Sequence, residues 1–397
     1  MLRRLPPTAA PVTLADLRHG LQGGPARQEA RARFEEALAC FLGVRACFLA
    51  ASGRTALYLL LRGLRAAADH ANRRDVLLPA YTCPALARVV LEAGLIPRLV
   101  DISPHTLNFD PIRLEGLLGE RTLALIAVHP FGLPQPIDAL RAGAHAAGAV
   151  VIEDAAQAMG ARLDGRPVGT IGDFGLFSLG PGKPLSTGGG GIACTADPAR
   201  AEWVVRAGTT LPPPSAPASG WALLRLALSV LAFHPAGWSL VTRSGLHRVG
   251  NHEASWGFAL RALTESQALV GLALLDRLEA ANSLRREHAR QLIARLQALD
   301  FVHIPPPAAG AEPIYLRVPL LVADEARRER LFRQLWEAGL GVGRMYRLPL
   351  SEFFPQIADG AYPGAESVAR HLLTVPTHHY LRPDDLERIA RIVLSAQ

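Results

Sequence analysis

Val150-Val151-Ile152-Glu153-Asp154 is the stretch on which the reading of the whole chain turns. Three β-branched apolar residues followed by two carboxylates describe a strand buried on both faces, with a polar end. Working outward, similar short apolar runs recur at Ala46–Leu49, Asp75–Leu78, Ile96–Val100 and Leu123–Val128. Ala/Leu/Arg-rich stretches at 55–67, 84–93, 111–119 and 136–147 separate them and read as helices. Pro84 and Pro111 stand where a first helical turn tolerates proline. Strands alternating with helices predict an α/β fold, a mostly parallel central sheet covered on both faces.

The flanks extend this pattern. Residues 1–30 read as an arm with a short helix over Leu14–Leu21, and 31–42 as an amphipathic helix carrying Phe34, Leu38, Phe41 and Leu42. Glycine-rich residues 172–195 read as strand, loop, strand. Leu211–Ser219 is a proline-rich break. Trp221–Val241 is unusually apolar but is interrupted by Arg225, His234, Pro235 and Gly237. A spanning helix needs about 20 mostly apolar residues, so a buried helix or helical hairpin is expected. An interfacial helix touching a membrane is the alternative for 221–241. A helical stretch over 260–298, a strand Tyr315–Leu321, a helix 324–338 and a last helix 383–395 follow. These predict a large domain over 1–250, with an apolar insert at 211–250, and a small C-terminal α+β domain over 251–397.

Composition narrows the function. Of 397 residues, 49% are hydrophobic and 19% charged, which excludes a disordered chain. Cys40, Cys47, Cys83 and Cys194 show no disulfide or metal-ligand spacing, so reduced thiols and a cytoplasmic location are expected. The N-terminus lacks the apolar core of a signal peptide. The net charge of +7 is scattered, and no nucleic-acid motif accompanies it. Lys and Arg total 42, and Lys183 is the single lysine. A position that keeps lysine where arginine serves everywhere else points to chemistry arginine cannot do. A buried lysine can lose its proton and act as a nucleophile.

Lys183 sits in Phe177-Ser178-Leu179-Gly180-Pro181-Gly182-Lys183-Pro184-Leu185, and four glycines follow shortly after. Glycine flanks let backbone approach a ligand. In open α/β sheets, ligands bind at the carboxyl ends of strands. A lone lysine and the buried acid Asp154 around one crevice suggest pyridoxal phosphate: lysine for a Schiff base, acid for the pyridine nitrogen. The bland reading of Asp154 is a helix cap. Ala51-Ser52-Gly53-Arg54-Thr55 ends the first strand and opens a helix, a place that favours an anion. Ser178 adds a hydroxyl.

Together these residues resemble a known family. Ile152-Glu153-Asp154-Ala155-Ala156-Gln157-Ala158-Met159-Gly160, then Gly172-Asp173-Phe174, Phe177-Ser178 and Lys183, are similar to the core of the DegT/DnrJ/StrS family. Its members are pyridoxal-phosphate-dependent sugar aminotransferases of fold type I, with a seven-stranded-type sheet. Ser52-Gly53 with Thr55-Ala56-Leu57, Pro79 to Ala85, Val128-His129, Gly132, Asp138, Tyr346, Glu366 and Leu373 to Pro376 fit as well. The resemblance implies that Lys183 forms the Schiff base and moves the proton, and that Asp154 pairs with the pyridine nitrogen. It places Gln157 against the ring, and Ser178 with the amides of Arg54 and Thr55 on the phosphate. It also implies a homodimer with the active site at the interface, L-glutamate as donor and a keto-sugar nucleotide as acceptor. The pathway would be polysaccharide or secondary-metabolite biosynthesis.

Three positions depart from the family pattern. A Gly-Tyr-Asn-x-Arg motif, whose asparagine comes from the partner subunit, reads Gly257-Phe258-Ala259-Leu260-Arg261 here. Gly-Glu-Gly-Gly reads Gly188-Gly189-Gly190-Gly191. Cys83 stands at the ring-stacking position, with Tyr81 close by. Tyr81, His129, Arg344 and Tyr346 are candidate substrate contacts; His129 reads more readily as a core or strand-end histidine. His378 and His379 either face the site or fill a turn. Two alternatives stay open beside the keto-sugar reading: a lipid-linked or apolar keto acceptor shaped by the insert, and a non-catalytic regulatory or assembly protein on this fold.

Overall fold

The computed structural model describes residues 3–67, 72–244 and 257–396. The expected strands form one seven-stranded sheet: β1 (Ala46–Ala50), β2 (Asp75–Pro79), β3 (Ile96–Val100), β4 (Thr122–Val128), β5 (Val150–Asp154), β6 (Phe174–Ser178) and β7 (Gly191–Thr195). Their order is β1-β7-β6-β5-β4-β2-β3. Only β7 runs against its neighbours; the remaining pairings are parallel. All five residues of β5 are buried, as a strand covered on both faces requires.

The covering helices follow from spacing. Gly53–Ala66 turns Leu57, Leu60, Leu61 and Leu64 inward, one stripe at helical period. Each such buried leucine contributes about 1.5–3 kcal/mol relative to exposure. Ser52 starts this helix by accepting the N–H of Thr55 on its hydroxyl. Pro84–Glu92 and Pro111–Glu115 begin at their prolines. The latter is shorter than expected, because the chain turns at Gly116.

Two expectations are corrected. The stretch 260–298 is two helices, Glu265–Leu275 and Leu278–Leu296. The apolar insert is not a hairpin or a buried helix. It is a pair of helices, Ala216–Phe233 and Pro235–Arg243, bent by 85° at His234. Leu226 is buried, while Trp221, Leu224, Leu228 and Leu231 form an exposed apolar stripe. No single helix among the described residues is long and apolar enough to cross a membrane.

A second, three-stranded sheet joins β8 (Val302–His303), β9 (Arg317–Val322) and β10 (Leu372–Pro376), with β9 in the middle and every pairing antiparallel. The helices Glu325–Glu337 and Pro383–Leu394 contribute Leu331, Leu335, Leu386 and Ile389 to its core. The expected division at residue 250 falls outside the described residues. Leu263, Leu269 and Leu274 pack in the core of the large sheet, and Ala289, Leu292 and Leu296 in that of the small one. The change of core therefore runs through the helix Leu278–Leu296.

Candidate active site

The carboxyl ends of β4, β5 and β6 and the segments that follow β1 and β2 open on one cavity of about 660 Å³, the size range of a cofactor site. Asp154, Gln157, Ser178, Lys183, Cys83, Ser52, Gly53 and Arg54 all line it. They come from four separate stretches of the sequence; the sheet order brings them together.

Asp154 ends β5. One carboxylate oxygen accepts the N–H of Ala156 at 3.0 Å. Burial pushes its pKa up, opposed by that hydrogen bond and by the charges of Lys183 and His129. A buried carboxylate beside a cation needs a proton or a cationic partner. Lys183 lies on the loop between β6 and β7. Its N–H donates to Gly180 O at 3.3 Å, and the next carbonyl back, on Gly182, accepts from the Thr8 hydroxyl at 2.9 Å. Gly182 has φ 75°, a left-handed conformation that glycine adopts without strain. The N-terminal arm thus fastens the lysine loop.

The helix Gly53–Ala66 also presents its N-terminus to the cavity, at Gly53 and Arg54. Gly191 makes that approach possible: a Cβ there would lie 2.3 Å from the Gly53 nitrogen. Thr55 differs from expectation. It is fully buried, its N–H donates to Ser52 Oγ at 3.1 Å, and its hydroxyl donates to the Ala259 carbonyl at 2.9 Å. Its amide is used by the cap and does not face the cavity. Ser178 lines the cavity, with Oγ accepting the N–H of Gly180 at 3.3 Å.

Gln157 spends its side-chain oxygen on the N–H of Phe131 at 3.2 Å. Burial pushes the Cys83 thiol up in pKa, and the thiol hydrogen-bonds the Tyr346 hydroxyl. Tyr346 lines the cavity; Tyr81 does not. The Tyr81 hydroxyl donates to Tyr346 O at 3.1 Å and accepts Tyr346 N–H at 3.2 Å, so it clamps the backbone that carries Tyr346.

Four other candidates lie elsewhere. His129 is fully buried, with Nε2 3.0 Å from Glu153 and Nδ1 accepting the Gln135 N–H at 3.0 Å. Arg344 pairs with Glu329 at 2.6 Å and stacks over Phe332, away from the cavity. His378 is buried against the Pro6 carbonyl at 2.9 Å. His379 does not line the cavity either.

Sequence reasoning missed Thr8, Arg225, Arg261 and Arg317, which do line it. Arg225 donates to the Gly188 carbonyl at 2.8 Å and so ties the insert to the glycine run. A signal for it existed, since it is the charge that interrupts the apolar insert.

A lysine and a buried carboxylate lining one cavity, beside a helix N-terminus at the carboxyl ends of a sheet of this order, mark a transferase of the aminotransferase fold. The chain belongs to the DegT/DnrJ/EryC1/StrS aminotransferase family, whose model matches residues 14–394. An L-glutamine:2-deoxy-scyllo-inosose aminotransferase of Streptoalloteichus tenebrarius is 35% identical over 273 residues, 68% of this chain and 57% of that one. The match thus spans little more than half the length of that relative. A UDP-N-acetyl-3-dehydro-alpha-D-glucosamine 3-aminotransferase of Acidithiobacillus ferrooxidans is 30% identical over 347 residues, 86% and 82% of the two chains. Among solved structures, the aminotransferase TlmJ from Streptoalloteichus hindustanus superposes with a TM-score of 0.77 at 26% identity, covering 99% of this chain and 98% of that one.

Proposed function

We propose that the protein is a pyridoxal-phosphate-dependent aminotransferase that moves the amino group of L-glutamate to a keto-sugar nucleotide. The observation that carries this reading is the shared cavity of Lys183 and Asp154. The residues present fit the cofactor: an amine for its aldehyde, a buried carboxylate for its ring nitrogen, and a helix N-terminus with Ser178 for its phosphate. The cofactor would supply an electron sink for the carbon that bears the amino group.

The chain does the rest. Asp154 would hold a proton on the ring nitrogen, and the buried carboxylate would gain a cationic partner in direct contact. Lys183 Nζ would take the proton from the carbon that bears the amine and return it in a 1,3 shift, across the intervening nitrogen. Thr8 and the Gly180–Gly182 turn hold the lysine loop in register for that transfer. Gln157, Cys83 and Tyr346 close the walls against water.

Absorbance of the purified protein with pyridoxal phosphate, before and after L-glutamate, tests this reading. The wild type is expected to show a visible band that glutamate removes, and Lys183→Ala no such conversion, a loss of at least about 10³-fold. A band that neither glutamate nor glutamine alters in the wild type would overturn the reading.

The proposal includes a homodimer. Gly257–Arg261, the segment the resemblance implies lies at the interface, sits at the cavity of its own chain. There Ala259 O meets Thr55 and the Arg261 carbonyl accepts the Ala51 N–H. Light scattering of the purified protein checks the assembly. The four free cysteines accord with a cytoplasmic protein. A second reading, an apolar or lipid-linked acceptor met at a membrane surface, draws on the exposed stripe Trp221, Leu224, Leu228 and Leu231. Flotation with lipid vesicles separates the two readings.

A further inference from the structure

The helix Ala216–Phe233 carries one charged residue, Arg225, and that residue lines the active-site cavity. Its guanidinium Nη2 donates to the Gly188 carbonyl at 2.8 Å, and the next residue, Leu226, lies against Gly188. Glycine leaves the room: a Cβ on Gly189 would come within 2.9 Å of Nη2. Gly190 pairs with Ser52, and a Cβ on Gly191 would lie 2.3 Å from the Gly53 nitrogen. One glycine run therefore joins Arg225 to the N-terminus of the helix Gly53–Ala66. Arg261 reaches the same neighbourhood. Its carbonyl accepts the Ala51 N–H, and its guanidinium donates to Ala262 O at 3.2 Å. Burial and the charge of Arg225 both lower its pKa. Two like charges are thus brought together on backbone acceptors alone. Among the described residues, Asp154 is the one carboxylate in a cavity lined by Arg54, Lys183, Arg225, Arg261 and Arg317.

We propose that Arg225 takes the phosphate group of the cofactor, so that the apolar insert completes the cofactor site from within the same chain. This rests on the aminotransferase reading above. A phosphate carries up to two negative charges, and a helix N-terminus offsets about half of one. The hydroxyls of Ser52 and Ser178 add hydrogen bonds but no charge. A guanidinium offers several N–H donors in a fixed fork that suits phosphate oxygens, and the bond to Gly188 O uses one of them. That bond also fixes the side chain before a ligand arrives, so little freedom is lost on binding. An anion at this place relieves the repulsion between Arg225 and Arg261. The glycine run puts Arg225 with the helix end that anchors the cofactor, which favours the cofactor over a phosphate carried by the acceptor. It also accounts for a lone cation in a helix whose other residues are all uncharged.

The test strips the cofactor from the purified protein and titrates it back, following the visible band. Two compounds are used: pyridoxal phosphate, and pyridoxal, which has the same ring and aldehyde but no phosphate. Arg225→Gln is expected to weaken pyridoxal phosphate by about 30-fold and pyridoxal by less than about two-fold. Arg225→Lys keeps the charge without the fork, so its loss is smaller, about five-fold, and again confined to pyridoxal phosphate. If Arg225→Gln does not accumulate as folded protein, the lysine variant carries the same comparison. Equal weakening of both compounds, or no change in either, would make Arg225 a structural tie between insert and glycine run and overturn the proposal. Unchanged pyridoxal phosphate binding with weakened binding of uridine diphosphate, read by calorimetry, would give Arg225 to the acceptor and overturn it too. Failure of the aminotransferase reading is distinct. A wild type that forms the band but never loses it to an amino acid fails that reading and leaves the comparison of the two compounds intact. A wild type that forms no band with either compound fails both.

Discussion

Glu153 and Arg317 are both buried charges within a few residues of the same cavity, and the fold treats them in opposite ways. Glu153 is fully buried and its oxygens accept four donors: the N–H groups of Gly169 at 2.7 Å, Ile171 at 2.6 Å and Gly172 at 2.5 Å, and His129 Nε2 at 3.0 Å. It organises the turn that leads into β6. Arg317 has one weak acceptor. Arg285 stands between them, with Asn282 Oδ1 at 3.0 Å and Ala9 O at 3.2 Å on its two terminal nitrogens. A satisfied buried charge fixes structure, whereas one with a single long acceptor is held in place mainly by packing.

The largest effect expected from this contrast is at Glu153. Glu153→Ala leaves three buried N–H groups and a histidine without their acceptor. We expect a loss of about 4 kcal/mol or more, read as a fall in the urea midpoint or as failure to accumulate folded protein. A variant as stable as the wild type would break the comparison, because charge satisfaction would then not distinguish Glu153 from Arg317.

An effect of intermediate size is expected from the cationic side of the small domain. His378 Nε2 faces the Pro6 carbonyl, and its Nδ1 accepts the Tyr380 N–H at 3.3 Å, so both ring nitrogens are used in the neutral form. Burial, with His379, Arg285 and Arg317 around it, lowers its pKa from 6.5 to about 3. The folded state therefore binds fewer protons than the unfolded chain between those values. Stability from this group is complete above pH 6.5 and declines as pH falls toward 3. Between pH 6.5 and 4 the decline is about 3 kcal/mol. Thermal melts of wild type and His378→Leu over this range should converge as pH drops; parallel curves would remove His378 from the account.

The cavity's large-domain wall was legible because its signals are local. Asp154 ends an apolar run that can only be a buried strand, and Lys183 stands out as one lysine against 41 arginines. The small-domain wall was not legible. Arg317 owes its burial to pairing with Pro376 and to the close approach of Gly343, contacts that short-range spacing does not encode. Thr8 reaches Gly182 across more than 170 positions. His129 and Arg344 were drawn toward the site by their chemistry, but each had a nearer carboxylate, Glu153 and Glu329. The break between Leu275 and Leu278 carries no glycine or proline, so helical spacing ran straight through it.

The smallest expected effect concerns the insert, where the same contrast is drawn in apolar rather than charged residues. Leu226 is 1% exposed and lies against Gly188, whose Cβ would come within 3.0 Å of it; Leu228, two residues on, is 55% exposed. If the insert belongs to the active-site wall through Arg225 and Leu226, its outer face is free of that duty. Leu228→Gln should change stability by less than about 0.5 kcal/mol and leave glutamate conversion unaltered. Leu226→Gln, which buries an amide against the glycine run, should cost about 2 kcal/mol or more and weaken retention of the cofactor. Urea midpoints and cofactor titrations of the two variants decide the matter. Equal behaviour of the pair would mean that the helix Ala216–Phe233 does not support the glycine run.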